Sequence, residues 1–573
     1  MVSVKAISKS FLIAIIVILV VIVGVGIYFA TVARPAVETT FTTPKTTTTP
    51  ATVTTTTTPI PSTTASYPAT PTVTKNVVVY ASLSEMTTAD PSTEFSNSIL
   101  WLCLVYEPLL WYDPLQDKII PALAESWETN ENGTVWTFHL RKGVVFHDGT
   151  PFTAEAVKSS IERTMKLGQG AAFIWDPVDK IEVVDDYTVS FVLKYPAPLD
   201  RIVASSYGAW IFSPKTPNTP EWFNEGNEAG SGPYKLVKWD PENEVVLEKF
   251  EDWWGWKLPS YEMASSKAPD VFVVKIVKDA VTQERLVISG DIDIAEYVPL
   301  DDVEKLKADP NLNVAIKPSF QNLLLFINTK KNPLDNVLVR RAIAHAIPYD
   351  DIVEIARSGL AYVASGPIPT GMWGHFDDLK YEYNLDEAKR LLAEAGYPNG
   401  INRTLTLVYT AGDVYEKRTS ELIAASLNKI GISVDIKPMS WEEQWALAQS
   451  GWENPDAAQD LFIMYWWPTY ITPFDFLYNI YHSDSKAFNL AYYENPKFEK
   501  LIEDAVYWEG IDKDKALNLY HEAQRIAYED VPIIPLWDMV DVRVGRAEIG
   551  NLDKAMNPAY PTVIFAQVLS VEK

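Results

Sequence analysis

The stretch FHLRKGVVFHDGTPFTAEAVKSSIER, residues 138–163, concentrates side chains that acid–base or metal chemistry needs. It holds His139 and His147, two of the chain's six histidines, together with Asp148 and several hydroxyls. An imidazole beside a carboxylate is the raw material of a general base or a metal ligand pair. The spacing fits a turn better than a reactive centre. Asp148-Gly149 forms a tight-turn core, Thr153 stands where a helix N-cap belongs, and Glu155 falls at the second helical position. On this reading His147 and Asp148 serve turn geometry.

The rest of the chain offers little reactive patterning. There is no Gly-x-Ser-x-Gly, phosphate loop, dinucleotide fingerprint or His-Glu-x-x-His, and His345, His375, His482 and His521 are dispersed. No cofactor or metal is expected. A glycosidase needs only two carboxylates roughly 5–9.5 Å apart, and 75 acidic residues supply many chance pairs. An envelope-tethered glycoside hydrolase therefore stands as an alternative, and a cell-surface structural protein as another.

Composition sets the class. The net charge of −26 argues against nucleic acid, whose phosphates draw on clustered Lys and Arg. The single cysteine, Cys103, lies in the apolar run ILWLCLVYEPLL, which excludes an internal disulfide and predicts a buried small hydrophobe. With 47% hydrophobic residues, 19 Trp, 28 Tyr and 22 Phe, the chain can fill two or three cores and still line a cleft with aromatics.

Residues 11–33, FLIAIIVILVVIVGVGIYFATVA, are uncharged and long enough to span a hydrocarbon core of ~30 Å. Lys5 and Lys9 precede them, so residues 1–10 are expected in the cytoplasm and everything after the single-pass anchor outside. Lys5-Ala6 before the apolar run resembles the class III, pilin-like signal peptides of some archaeal surface proteins, with cleavage after Ala6 or an uncleaved anchor both open. No cysteine directly follows, which excludes a lipoprotein anchor. The linker, residues 34–75, is a stalk: from Pro35 on, its 41 residues include 19 Thr and 7 Pro, too little apolar surface to offset the entropy of ordering. Residues 1–75 carry five Lys/Arg and one Glu, so residues 76–573 hold about −30. Asn132-Gly-Thr134 and Asn402-Arg-Thr404 are glycosylation sequons consistent with an exterior location.

The elements that must position any site mix both periods. TVWTFHL alternates Trp136, Phe138 and Leu140 against Val135, Thr137 and His139, a half-buried strand. NVVVYASL opens the folded part as another strand. In NLDEAKRLLAEAGYPNG, Asn384 caps a helix whose apolar face is Leu385, Ala388, Leu391, Leu392 and Ala395, and Gly396 stops it. TLTLVYT, a helix over about 415–429, Gly431 and SVDIKP then read as strand, helix, strand, implying a parallel pair in an α/β lobe.

PALAESWETNENGTVWTFHLRKGVVFHDGTPFTAEAVKSSIER resembles the hallmark segment of the family 5 solute-binding proteins of ABC importers. GSGPYKLVKWDPENEVVLEKFEDWWG, LLFINTKKNPLDNVLVRRAIAHAIPYDDIV and EDVPIIPLWDMVDVRVGR follow the same family in order. Ala156 departs from it, where an acidic residue is common. The resemblance implies a bilobed, type II periplasmic-binding-protein-like α/β fold with an extra domain inserted in lobe I. Mapped onto this chain, lobe I takes 76–112, 230–320 and 531–573, the inserted domain 113–229, and lobe II 321–530. The implied protein is not an enzyme but a monomeric receptor that closes on a small solute and presents it to ABC permease subunits.

For the solute, the resemblance leaves two classes open, oligopeptide and oligosaccharide. In dipeptide and oligopeptide receptors an Asp holds the ligand's ammonium, and in MYWWPTYITPFDF the matching position is Thr469, with Asp475 close enough to substitute. The carboxylate-holding Arg of dipeptide receptors falls on Thr410. A free dipeptide would bury both charges unpaired, at a cost of several kcal/mol. Tyr465, Trp466, Trp467, Tyr470 and Trp373 offer flat faces for sugar rings or peptide side chains, and this local chemistry leans toward a neutral oligosaccharide.

Overall fold

The computed structural model describes residues 75–113, 116–217, 219–258 and 263–572. The expected anchor at 11–33, the residues before it and all but the last residue of the 34–75 linker lie outside these. Among the described residues no helix is long and apolar enough to cross a membrane.

The first strand, β1 (Val77–Ser82), is followed by the antiparallel pair β2 (Leu110–Asp113) and β3 (Lys118–Pro121). Next come β4 (Ala124–Thr129), β5 (Val135–Leu140), β6 (Val178–Asp185) and β7 (Thr188–Leu193), a separate antiparallel sheet in the order β4-β5-β7-β6. Its pattern is the one read from TVWTFHL: Trp136, Phe138 and Leu140 are buried and His139 is exposed. A one-residue slip would turn those three outward, at ~1.5–3 kcal/mol each.

The helix Ala154–Leu167 packs on this sheet, and its start differs from the expectation. Thr153 is extended but its side chain caps nothing. The Ala154 N–H instead donates to the Asp186 carbonyl in the turn between β6 and β7, so a tertiary contact satisfies the helix end.

The second sheet is built from β1 and ten later strands: β8 (Tyr234–Asp240), β9 (Glu244–Lys249), β10 (Val271–Ile276), β11 (Ile294–Ala295), β12 (Leu312–Ile327), β13 (Ala361–Val363), β14 (Leu405–Thr410), β15 (Val434–Met439), β16 (Leu461–Trp466) and β17 (Ile533–Arg546). Their order is β15-β14-β16-β12-β17-β11-β1-β10-β9-β8, with β13 on β17. β14, the helix Val414–Asn428 and β15 make the parallel unit the sequence implies. The Asn384 side chain accepts the Glu387 N–H at the start of the helix Leu385–Glu394.

Two strands tie the halves of this sheet together. β12 and β17 run 16 and 14 residues, ~50 Å and ~45 Å at about 3.3 Å each. Their first-half portions, Leu312 to Pro318 against Val540 to Arg546, lie beside β11 and β1. Their second-half portions, Asn322 to Phe326 against Ile533 to Asp538, lie beside β16. The ladder shifts register between Pro318 and Asn322 and again between Leu323 and Leu324, the latter opposite Pro535. Proline has no N–H to donate, so both irregularities sit where the sequence removes a ladder bond. The crossing from one half to the other thus occurs within paired strands, near 318–322 and 538–540.

Candidate functional site

The register at this seam decides which side chains meet. Asn322 faces Trp466 on one side and Asp538 on the other, and Leu323 likewise faces Tyr465 and Trp537. Directly opposed residues point to one face of a sheet, about 4.5–5.5 Å apart at Cβ. Asn322, Trp466 and Asp538 therefore share the first face, and Tyr465 and Trp537 share the second.

On the first face Asn322 and Asp538 are buried and Trp466 is half-buried. The Asn322 amide donates to the Pro367 carbonyl at 2.9 Å. Asp538 Oδ2 accepts the Thr370 backbone N–H at 2.8 Å and its hydroxyl at 2.7 Å. Asn322 Oδ1, Asp538 Oδ1 and Trp466 Nε1 have no hydrogen-bond partner among the described residues. Burial pushes the Asp538 carboxyl up to about 6 against the pull of its Thr370 bonds. Orphaned buried atoms occur elsewhere too, among them Trp101 Nε1, Tyr106 Oη, Thr419 Oγ1, Ser420 Oγ and, on the second face, Trp537 Nε1. Three on one face of three adjacent strands, two acceptors and one donor, form a ready template for an amide-bearing guest.

On the second face Tyr465 meets Trp537 edge to face at 5.6 Å, and it lies beside Asp413. Asp413 caps the helix Val414–Asn428, accepting from Tyr415 and Glu416 at 2.8 Å. Burial and the nearby Asp413 push Glu416 up to about 8. Arg357 lies over the Trp537 ring on this face.

The remaining residues singled out from sequence are distributed rather than gathered. Thr469 and Tyr470 are buried in the loop after β16. That loop is pinned from residues 201–207: the Thr469 carbonyl accepts from Ser205 Oγ at 2.8 Å and the Ile471 carbonyl from Arg201 at 2.7 Å, while Trp467 lies beside Tyr207. Asp475, buried in the helix Pro473–Tyr481, accepts from the Thr469 N–H at 3.0 Å and Asn479 at 3.2 Å, and burial pushes it up to about 7. Its oxygens fasten the loop. The half-buried Trp373 ring lies 5.2 Å from the Arg201 guanidinium and 4.8 Å from the Lys513 ammonium. Trp466 meets Phe488 edge to face.

Asn322, Asp538, Thr370 and Arg357 were not singled out. A signal existed for two of them: Asn322 interrupts SFQNLLLFIN and Asp538 interrupts IIPLWDMV, polar residues inside apolar strands. Arg357 in VEIARSG carries no such mark.

A sheet whose halves are joined by continuous strands, with unsatisfied polar atoms at the joint, is suited to holding a guest between them. The family model described as bacterial extracellular solute-binding proteins, family 5 Middle, matches residues 118–488. The chain is 32% identical over 513 residues to the probable D,D-dipeptide-binding periplasmic protein DdpA of Escherichia coli K12, covering 87% of this chain and 93% of that one. It is 29% identical to heme-binding protein A of Haemophilus influenzae, over 75% of this chain and 81% of the relative. Among solved structures, the ABC transporter-associated periplasmic binding protein DppA from Helicobacter pylori in complex with the peptide STSA matches with a TM-score of 0.72 at 27% identity, covering 87% of this chain and 99% of that one. The chain belongs to family 5 of the extracellular solute-binding proteins, with the mixed α/β fold of that family. It is a solute-binding receptor, not an enzyme.

Proposed function

We propose that this receptor captures a short oligopeptide at the seam between the halves of the long sheet and delivers it to an ABC permease. The supporting observation is the orphaned trio Asn322 Oδ1, Trp466 Nε1 and Asp538 Oδ1, whose mix of acceptors and donor complements the N–H and C=O groups of a peptide. Peptide ligands named for the relatives favour the same reading. An oligosaccharide is less favoured than the aromatic count suggests: Tyr470 is buried, Trp373 is flanked by two cations and Trp466 meets Phe488, leaving few open faces for stacking.

The proposal includes an outside location, with residues 11–33 as the membrane anchor and residues 34–75 as a spacer. It also includes a division into lobe I, inserted domain and lobe II. The separate β4-β5-β7-β6 sheet supports the inserted domain, and the pairing of Ile533 to Asp538 with Asn322 to Phe326 favours assigning residues up to about 538 to lobe II. The test is a thermal melt of the full-length chain against tetrapeptide and oligosaccharide panels. A bound peptide at a hundredfold its Kd adds ~2.7 kcal/mol. Stabilisation by sugars alone would replace the peptide reading, and no stabilisation by either would remove it.

A further inference from the structure

Of the 19 tryptophans, all among the described residues, Trp441 alone is exposed, at 44%. It opens the helix Trp441–Ser450, two residues after β15, and the start of that helix is fixed. Ser440 Oγ accepts the Glu443 N–H at 3.3 Å, and the Glu443 carboxylate accepts the Ser440 N–H at 3.2 Å. This reciprocal capping holds a large flat ring in water, where an exposed aromatic marks a contact surface.

Trp441 is the outer end of a row. Its ring stacks on Trp445, four residues on, at 5.2 Å and 29°, Trp445 meets Phe488 at 5.8 Å, and Phe488 meets Trp466 edge to face at 5.2 Å. Trp466 shares its sheet face with Asn322 and Asp538, so the row runs from solvent to the orphaned trio. It also follows the strand ends. β14 runs parallel to both β15 and β16, with Thr410 beside Met439, so Thr410, Met439 and Trp466 close their strands along one edge. The space outside the carboxyl ends of parallel strands is where α/β sheets take ligands.

A second observation comes from the same helix. Gln444 is 0% exposed, its Nε2 donates to Thr410 Oγ1 at 2.7 Å, and its Oε1 has no partner. Thr410 therefore fixes the orientation of the amide and leaves a buried acceptor at the edge that the row crosses. Such an acceptor is costly until a donor meets it.

We propose that Trp441 and Trp445 form an outer subsite that stacks an aromatic side chain of the solute, with Gln444 Oε1 accepting an N–H from the same stretch of peptide. The inference rests on the reading that a peptide sits on Asn322, Trp466 and Asp538, and it sharpens that reading: the solute carries an aromatic residue toward one end. Extended chain advances ~3.3–3.6 Å per residue, so about five residues cover the three ring-to-ring steps. A flat ring gains more from stacking on an indole than an aliphatic group of equal bulk does, because the quadrupoles of the two rings add to area burial.

The full-length chain is titrated calorimetrically with an alanine-based hexapeptide and with variants carrying Phe, or cyclohexylalanine as an aliphatic control, at each position in turn. We expect Phe at one outer position to bind about three- to ten-fold tighter than cyclohexylalanine there. Trp441→Ala removes that preference while leaving the alanine hexapeptide's affinity and the melting temperature without solute unchanged, and Trp441→Tyr retains most of it. Gln444→Met weakens Phe and cyclohexylalanine peptides alike, and unchanged affinity in it removes the acceptor from the site. If the hexapeptide binds but the scan is flat, or the preference survives Trp441→Ala, the outer subsite is overturned and the peptide reading stands. If no peptide binds but oligosaccharides do, with an affinity that Trp441→Ala lowers, the peptide reading falls and the stacking platform stands with a sugar ring as its occupant. If oligosaccharide binding ignores Trp441, or nothing binds, both fall.

Discussion

The polar side chains of residues 138–163 and those at the seam of the long sheet are similar in kind but opposite in condition. In the first region both His147 ring nitrogens face acceptors, Glu228 at 2.8 Å and the Gly232 carbonyl at 2.9 Å. Asp148 accepts from the Thr150 N–H at 2.8 Å and the Ser213 hydroxyl at 2.7 Å, and Arg163 grips Asp90. Of these three residues Arg163 alone keeps an atom, its Nε, without a partner, whereas at the seam Asn322, Asp538, Trp466 and Arg357 each keep one. The first region has the residue types of an active centre and the hydrogen bonding of a scaffold. Saturation, more than residue type, separates groups that hold the fold from groups available to a guest.

The widest test of this contrast is pH. Burial pushes Glu94, Glu107, Glu509 and Asp475 up to about 7, and Glu107 is held by neutral donors, the indoles of Trp253 and Trp254 and the Ser231 hydroxyl. Their folded pKa values lie above the ordinary carboxylate range, so the folded state binds protons more tightly. The stability they contribute is complete below about pH 4.5 and is lost as pH rises toward 7, at up to ~1.4 kcal/mol per unit for each group. Melting temperatures should therefore fall from pH 5 to pH 8, and a rise across that window would contradict it.

Breaking the scaffold pair comes next. Asp90→Ala leaves Arg163 buried and unpaired and should cost about 3–5 kcal/mol in chemical denaturation, with peptide affinity of the remaining folded protein intact. Asp538→Asn reverses the pattern. It should weaken peptide binding by about 1.5–3 kcal/mol while changing stability by less than that, because the charge it removes faces the guest. Equal losses of stability in the two variants would dissolve the distinction between the regions.

The smallest effects are at two helix starts. Asn384→Ala removes a cap bond to Glu387 and should cost ~1 kcal/mol, whereas Thr153→Ala removes none and should cost ~0.5 kcal/mol or less. A larger cost at Thr153 would mean that its side chain does more than hold the chain extended.

Local order was legible because it is encoded over a few residues. The alternation of Trp136, Phe138 and Leu140, the Asn384 cap, the βαβ unit after Leu405 and the burial of Cys103 all follow from neighbours in sequence. So was the family, through the long segment around residues 121–163. The site was legible only in part. Tyr465, Trp466, Trp467, Tyr470 and Trp373 were grouped as flat aromatic faces, yet adjacent strand residues point to opposite faces, so Tyr465 and Trp466 line different sides of the sheet.

What sequence determined is which residues form each element and which way each side chain leaves its own strand. Tertiary structure decided the partners: Asn322 lies beside Trp466 and Asp538, more than a hundred residues away in sequence, and Arg357 beside Tyr415 and Trp537. The physical reason is that periodicity fixes a side chain's direction only relative to its own backbone. Neighbours across the seam depend on strand order and on register shifts beside Pro318 and Pro535, which exist only once the long strands have paired.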